Sequence, residues 1–275
     1  MLKRLKALLA SDLVWRSRLR YLAEVLMRRC WGPASRDPID FRLRGGGRVR
    51  LRLGTTDFKV FEEIFVRQVY GRFAALLPEG GTILDLGANV GLTAVYLCRA
   101  SPESRMIAVE PDAENFRMLV ENLRSAGIER RVRAIEAFAG GERGFAAVED
   151  SGNGAWGFRR GPAAEAGVRV IPIPEFVDGV GPVSVKCDIE GGERELFEHL
   201  REWEQLVSLI ILELHTEFLA ADELYEILLQ SEFAWTIHGE IPRDACIAVI
   251  ALERKARKPS ETSAGLAPLY SESTW

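Results

Sequence analysis

Four short stretches carry the residue types that could do chemistry. In "ILDLGANVG", Asp85, Gly87, Asn89 and Gly91 stand between an apolar run and a helical one. Gly87 permits a tight turn and Gly91 a close approach by a ligand or by neighbouring backbone, while the N–H groups at the helix start can receive polar ligand groups. In "AVEPDAENF", Glu110 closes the next apolar run about 20 residues further on, where an acidic side chain can accept both hydroxyls of a ribose. In "VSVKCDIEGGERELFE", Lys186, Asp188 and Glu190 precede a glycine pair and an acidic helix. In "LELH", Glu213 and His215 are two residues apart, which puts both on one face of a strand. Together Asp188, Glu190, Glu213 and His215 could supply a general base, a proton relay or a site for a hard divalent cation.

Each stretch also has a plainer reading. The glycines could simply turn a strand into a helix, Glu110 could be a carboxylate at a helix N-terminus, and His215 taken alone is a strand-end histidine. Lys186, within an apolar strand, is costly to bury unless it meets Asp188, Glu190 or another acid. A dinucleotide pyrophosphate calls for G-x-G-x-x-G. Here the second glycine position is Asn89 and Asp85 precedes the loop, a pattern that disfavours a phosphate ligand and favours a cationic one.

The elements that must hold these residues alternate between strand-like and helical periodicity, the pattern of an α/β domain with a largely parallel sheet. Strands are predicted at Thr82–Leu86, Arg105–Val109, Val132–Ala137, Val183–Cys187, Val207–Leu212, Ala234–His238 and Cys246–Leu252. The junction "GEIPRDA", Gly239 to Ala245, is far shorter than the dozen or more residues of a parallel crossover, so the last two strands must run antiparallel.

The chain has 275 residues, 47% apolar and 28% charged, with a net charge of −4. That is an ordinary composition for a soluble globular protein, and a cytoplasmic one is the expectation, since no apolar run approaches the roughly 20 residues of a membrane span. Cys30, Cys98, Cys187 and Cys246 form no C-x-x-C pair, so neither a disulfide framework nor a zinc site is indicated, and free thiols in or near the core are expected. Residues 1–32 carry eight Lys/Arg against Asp12 and Glu24, a charge of +6 that leaves −10 for the rest. They read as one or two amphipathic helices that pack on the domain or, in the sharper reading, touch the inner membrane surface or a lipid-linked substrate. Residues 255–275 lack periodicity and read as a tail. These shifts divide the chain into 1–54, basic helices with a lead-in strand; 55–253, the α/β domain; and 254–275, the tail.

Taken in order, "DFKVFEEIFVRQVY", "ILDLGANVGLTAVYL", "VEPDAENFRMLVENL", "VSVKCDIEGGERELF" and "LELH" resemble the FkbM-type S-adenosylmethionine-dependent methyltransferases over about Asp57 to Val249. The resemblance implies a Rossmann-like α/β fold: a seven-stranded methyltransferase sheet, mostly parallel with the last strand antiparallel, and helices on both faces. It implies S-adenosyl-L-methionine as cofactor and methyl transfer, usually to a hydroxyl on a sugar, glycan or natural product. Asp85, Gly87, Asn89 and Gly91 would then surround the methionine part of the cofactor, and Glu110 would hold the ribose. Asp188 is the first candidate for the base, with Glu190 and His215 in support; a divalent metal held by the same cluster is the alternative.

Acceptor recognition is expected in the insert from Phe145 to Ile173, where Asn153, Trp156 and Phe158 offer an aromatic floor, with Asp57, Glu63 and Tyr70 covering the mouth. Two other classes compete: a methyltransferase-like binding module without catalysis, and a nicotinamide-dependent oxidoreductase, which the loop and the terminal hairpin disfavour. A nucleic-acid substrate is not expected, because the core is acidic and has no N-P-P-Y type motif.

Overall fold

The structure, a computed structural model, describes residues 2–31, 38–150, 158–163, 167–242 and 246–256. Its strands are β1 (Ile39–Arg42), β2 (Arg48–Leu51), β3 (Thr82–Leu86), β4 (Arg105–Glu110), β5 (Val132–Glu136), β6 (Phe138–Gly140) and β7 (Gly144–Asp150). They continue with β8 (Phe158–Ala163), β9 (Val168–Pro172), β10 (Val183–Cys187), β11 (Val207–His215), β12 (Ala234–His238) and β13 (Ile247–Lys255). The tail from residue 257, the loop residues Asn153 and Trp156, and the side chain of Phe158 lie outside the described residues.

The main sheet has seven strands in the order β12-β13-β11-β10-β3-β4-β5. β10 lies parallel to β3 and to β11, β3 to β4, and β4 to β5, whereas β13 runs antiparallel to both of its neighbours. This is the architecture expected, including the terminal hairpin deduced from the short Gly239–Ala245 connection. The chain moves outward from β3 through β4 to β5 and then returns to β10 on the other side of β3. That reversal opens a crevice at the carboxyl ends of the strands, where open α/β sheets receive ligands.

Three strand ends run further than periodicity indicated, among them β13, which continues three residues past Leu252 to Lys255. β4 extends through Glu110, which is in register with Glu136, and β11 extends through His215, because Glu213, Leu214 and His215 pair with Val249, Ala248 and Ile247. Charged residues there hid the continuation of the ladder. Their consequence is that Glu110, Glu213 and His215 sit on sheet backbone rather than on loops.

Alternation along the strands divides the core in two. Ile83, Met106, Ala108, Leu209 and Ile211 face one side, packed with the helices Leu92–Ala100 and Ala113–Ala126 and with Phe58, Phe61 and Phe65. Leu84, Leu86, Val183, Val185, Ile210 and Leu212 face the other, packed with Leu196, Phe197, Trp203 and Leu224. Each fully buried side chain of this size contributes about 1.5–3 kcal/mol. On the first face the parity also brings Asp85, Lys186, Glu213 and His215 to one side of the sheet.

The N-terminal helices Leu2–Ala10 and Trp15–Trp31 pack on that first core through Leu8, Leu13 and Tyr21. A single lead-in strand was expected; β1 and β2 instead form a hairpin, Ile39 opposite Leu51 and Arg42 opposite Arg48. Its Gly45, Gly46 and Gly47 turn all have positive φ. In the insert, β6, β9, β7 and β8 form a separate four-stranded sheet. Its first and last pieces pair as β7 with β9, and β8 adds to the outside of β7.

Candidate active site

A cavity of about 810 Å³ opens at the carboxyl ends of β3, β4, β10 and β11. Gly87, Ala88 and Asn89 border it from the turn after β3, Glu110 from the end of β4, and Lys186, Asp188 and Glu190 from the end of β10. Glu213 and His215 complete it from β11. One space thus joins three of the four chemistry-bearing stretches directly and the fourth, the glycine turn, through its first residues.

The β4 end is fixed by backbone. Glu110 is buried, and its Oε2 accepts the Asn89 N–H at 2.8 Å while Oε1 accepts the Asp112 N–H at 3.0 Å. Burial pushes its carboxyl up to about 7, although those two N–H groups and the Asn115 amide pull the other way. Asp112 caps the helix Ala113–Ala126 by accepting the Asn115 N–H at 2.8 Å, so the turn after Glu110 is locked into the helix that follows.

The turn after β3 spends its amides internally. Gly87 and Ala88 donate to the Val109 carbonyl, Asn89 to Glu110, Val90 to the Asn89 side chain and Gly91 to the Ala88 carbonyl. The N–H groups expected to receive a ligand are therefore already partnered, and this turn offers shape instead. Gly87 has φ +73°, and a Cβ there would overlap the carbonyl oxygen of Asp188, so the turn must pass directly against the segment after β10.

The β10 and β11 ends are fixed by side chains. Lys186 lies opposite Asp85 in the parallel register, and its Nζ is 3.3 Å from Asp85 and 3.5 Å from Asp188. It also donates to the Gly87 carbonyl at 2.9 Å, tying the turn after β3 to β10. Burial opposes its charge, but Asp85, Asp188 and Glu213 outweigh that and hold the ammonium protonated.

His215 Nδ1 meets the fully buried Glu193 carboxylate at 2.8 Å, and its Nε2 faces Glu190 at 3.7 Å. Burial disfavours the imidazolium; the Glu193 hydrogen bond and the field of Asp188, Glu193 and Glu190 win, and the ring is raised to about 9. Glu193 further accepts the N–H groups of Ile189 and Gly191, at 3.3 and 2.7 Å, so one carboxylate orients both the imidazole and the loop before it. Glu213 accepts the Tyr70 hydroxyl at 2.8 Å. Burial and the nearby Asp188 push Glu213 up to about 7 against the pull of Tyr70, Lys186 and His215. Ligand atoms of Asp188, Glu213 and His215 lie within 4.8 Å of one another, but Lys186 already places a positive charge beside Asp188.

The mouth is formed by two inserted pieces. A π-helical turn, Glu62–Val66, follows directly on the helix Asp57–Phe61 and brings Glu63 and Ile64 to the cavity. Such turns shift side chains out of the regular helical sequence of faces and are frequent at functional sites. From β8, Arg160 reaches the rim and pairs with Glu195 at 2.6 Å.

Four expectations are revised by this geometry. Asp85 is fully buried and does not border the cavity, because Lys186, its neighbour across the ladder on the same sheet face, takes the cavity-lining position and pairs with it. Gly91 is also away from the cavity; a Cβ there would come within 2.6 Å of Leu119, so its role is helix-to-helix packing. Asp57 is tied down by Arg52 at 2.8 Å rather than covering the mouth, while Glu63 and Tyr70 do border it. Among the cysteines, Cys98 and Cys187 are buried thiols as expected, whereas Cys246 is exposed. Glu193 was missed. Its signal was present, since Leu196 and Phe197 three and four residues on mark its side of the helix as the inward one.

The model of the methyltransferase FkbM domain matches residues 85–234, just over half of the chain. The chain belongs to the FkbM methyltransferase family. The matched span of this FkbM methyltransferase runs from Asp85 to the first residue of β12 and contains Glu110, Asp188, Glu193 and His215. Among curated relatives, the AMB antimetabolite synthetase AmbE of Pseudomonas aeruginosa is 41% identical over 86 residues, 31% of this chain and 4% of that protein. The hexuronic acid methyltransferase AglP of Haloferax volcanii is 27% identical over 141 residues, 50% of this chain and 57% of AglP. The chain thus spans less than two thirds of the length of the relatives it matches. The solved delta-N METTL16 MTase domain superposes with a TM-score of 0.51 at 11% identity, covering 88% of this chain and 96% of that one, a likeness of fold.

Proposed function

We propose that this chain transfers the methyl group of S-adenosylmethionine to a hydroxyl of a sugar, glycan or hydroxylated natural product. The observation that carries the cofactor assignment is Glu110, a buried carboxylate at the end of β4 on the cavity wall. A carboxylate has about four lone-pair sites. Backbone N–H groups occupy two of them and the Asn115 amide reaches a third at 3.5 Å, which leaves one for a ribose hydroxyl and a long contact that the second hydroxyl can displace. The acidic wall formed by Asp188, Glu190 and Glu213 suits a sulfonium, which a pyrophosphate-binding turn would not. The expected cofactor contacts are then Gly87, Asn89 and Glu110, with Asp85 acting at one remove through Lys186.

In the reaction the acceptor oxygen attacks the methyl carbon in line, the sulfur–carbon bond breaks, and a neutral thioether leaves without needing an acid. The hydroxyl proton must go to a base. His215 is the group best arranged to take it: Glu193 holds Nδ1–H, so Nε2 is the position that accepts. In the free protein the ring is raised to about 9; the sulfonium, a cation in the same cavity, pulls it back toward neutrality. Asp188, the first candidate from sequence, is engaged by Lys186 and serves to orient, as does Glu190 beside Nε2. With Lys186 there, the donor set favours proton handling over a divalent cation.

The sugar or glycan acceptor rests on AglP, whose name places its chemistry on a hexuronic acid, and on the four-stranded insert whose Arg160 reaches the rim. The test is incubation of the protein with isotopically labelled S-adenosylmethionine and a panel of glycans and hydroxylated small molecules. Release of S-adenosylhomocysteine with label on an acceptor oxygen is expected. Absence of cofactor binding by calorimetry would overturn the assignment.

A further inference from the structure

The helix Trp15–Trp31 is turned the unusual way round. Trp15, Leu19, Leu22 and Leu26 follow one another at steps of four, three and four residues, the repeat of a single helical face. That face is outward: the four are 63%, 57%, 37% and 62% exposed. The opposite side is the buried one, and it is partly polar. Ser17 accepts the Arg42 N–H at 2.7 Å, Tyr21 stacks on Phe58, and Glu24 is buried. Ordinary domain packing would turn the leucines in.

Arginines flank the outward stripe. On a helical projection Arg29 lies along one edge of the stripe and Arg16 on the other side, with Arg20 one turn on and further round toward Asp40, all exposed. The preceding helix adds exposed Lys6 and Leu9. Residues 1–32 contain two carboxylates, and neither faces the stripe: Glu24 is buried and Asp12 is paired with Arg99 at 2.6 Å. Arg16 lies 5.2 Å over the Trp15 ring, an aromatic-and-cation pair of the kind that suits the headgroup level of a bilayer.

We propose that this face is a docking surface for an anionic lipid bilayer, with the helix Trp15–Trp31 lying in the plane of the interface. Trp15, Leu19, Leu22 and Leu26 enter the acyl boundary while Arg16, Arg20 and Arg29 reach headgroup phosphates. Charge complementarity selects this occupant over a second copy of the chain. A two-fold interface through the stripe would set the same arginines of two copies against each other, whereas an anionic surface attracts them. The remaining −10 of the chain is repelled by that surface, so the basic end is the one that approaches.

The experiment is co-sedimentation of the full chain with vesicles of 30% phosphatidylglycerol in phosphatidylcholine, and with pure phosphatidylcholine. Size-exclusion chromatography with light scattering is run in parallel. Binding to the anionic vesicles is expected to exceed binding to the neutral ones by about tenfold or more and to weaken as salt is raised. Leu19→Ser with Leu26→Ser should abolish it. Arg16→Gln with Arg20→Gln should weaken it by about fivefold for each arginine lost. These positions are exposed, so an unchanged far-ultraviolet spectrum and melting temperature should accompany both double variants. Equal binding to the two vesicle types, or full binding by the leucine variant, overturns the proposal. So does a dimer that the leucine variant converts to monomer without any vesicle binding.

Discussion

At the end of β4, Glu110 is held by main-chain N–H groups of Asn89 and Asp112. Across the same cavity, Glu213 and His215 are held by side chains, the Tyr70 hydroxyl and the Glu193 carboxylate. The first arrangement carries one carboxylate on main-chain amides that cannot titrate, so its orientation is set by the backbone. The second holds two groups raised toward the middle of the pH range, Glu213 to about 7 and His215 to about 9, so its charge responds to whatever enters. One end is built to hold a fixed part of a ligand, the other to respond to reaction.

The largest effect that could break this contrast is at His215. His215→Asn should lower turnover by about 10²–10⁴-fold, because the amide cannot take the proton. Cofactor affinity measured by calorimetry above pH 9, where the imidazole is already neutral, should stay within a few tenths of a kcal/mol. Loss of affinity with turnover unchanged would assign His215 to the binding end instead.

Next comes Glu110→Ala, which should weaken S-adenosylmethionine binding by roughly 1–3 kcal/mol by leaving two hydroxyls without a charged acceptor. Calorimetry on the folded variant checks it, and an unchanged affinity would remove the ribose assignment.

A sharper measurement is the pH profile. A base must be deprotonated to act, so kcat/KM, which reports groups of the free enzyme, should climb as pH rises through about 9, the value to which His215 is raised. Glu193→Gln withdraws the carboxylate that favours the imidazolium, and the climb should move down by about one pH unit, about 1.4 kcal/mol. A profile with the same midpoint in both proteins would dissociate Glu193 from the base. The smallest effect is Tyr70→Phe, which leaves Glu213 short of one donor and should cost about 1 kcal/mol in urea unfolding.

The same contrast explains what the sequence disclosed. All seven strands of the main sheet were legible because each is an apolar run bounded by turns, and the antiparallel β13 followed from chain length alone. Glu110 and His215 were legible because strand ends are where charge interrupts such runs. Asp85 misled, since a carboxylate on an apolar strand looks directed at a ligand until its neighbour across the ladder, Lys186 on a strand about 100 residues later, is known. The π-helical turn at Glu62–Val66 has no pattern of its own, because its apolar residues also fit an ordinary helix. β6 was missed for want of length: three residues, two of them Ala139 and Gly140, carry no strand signature.

The buried pair of Lys186 and Asp85 has a consequence for how such a protein can change over generations. Removing Lys186 strands Asp85 as an uncompensated buried charge, at about 3–5 kcal/mol, whereas removing Asp85 leaves Lys186 beside Asp188, and replacing both with apolar residues of similar volume is often neutral for a fold. Against a total stability of about 5–15 kcal/mol, a lineage that loses the lysine first sits close to collapse, though for the fold the double replacement beyond it is habitable. The pair is therefore an evolutionary ratchet: easily kept, hard to leave one step at a time, and a place where descendants with and without it should form separate clades with few intermediates.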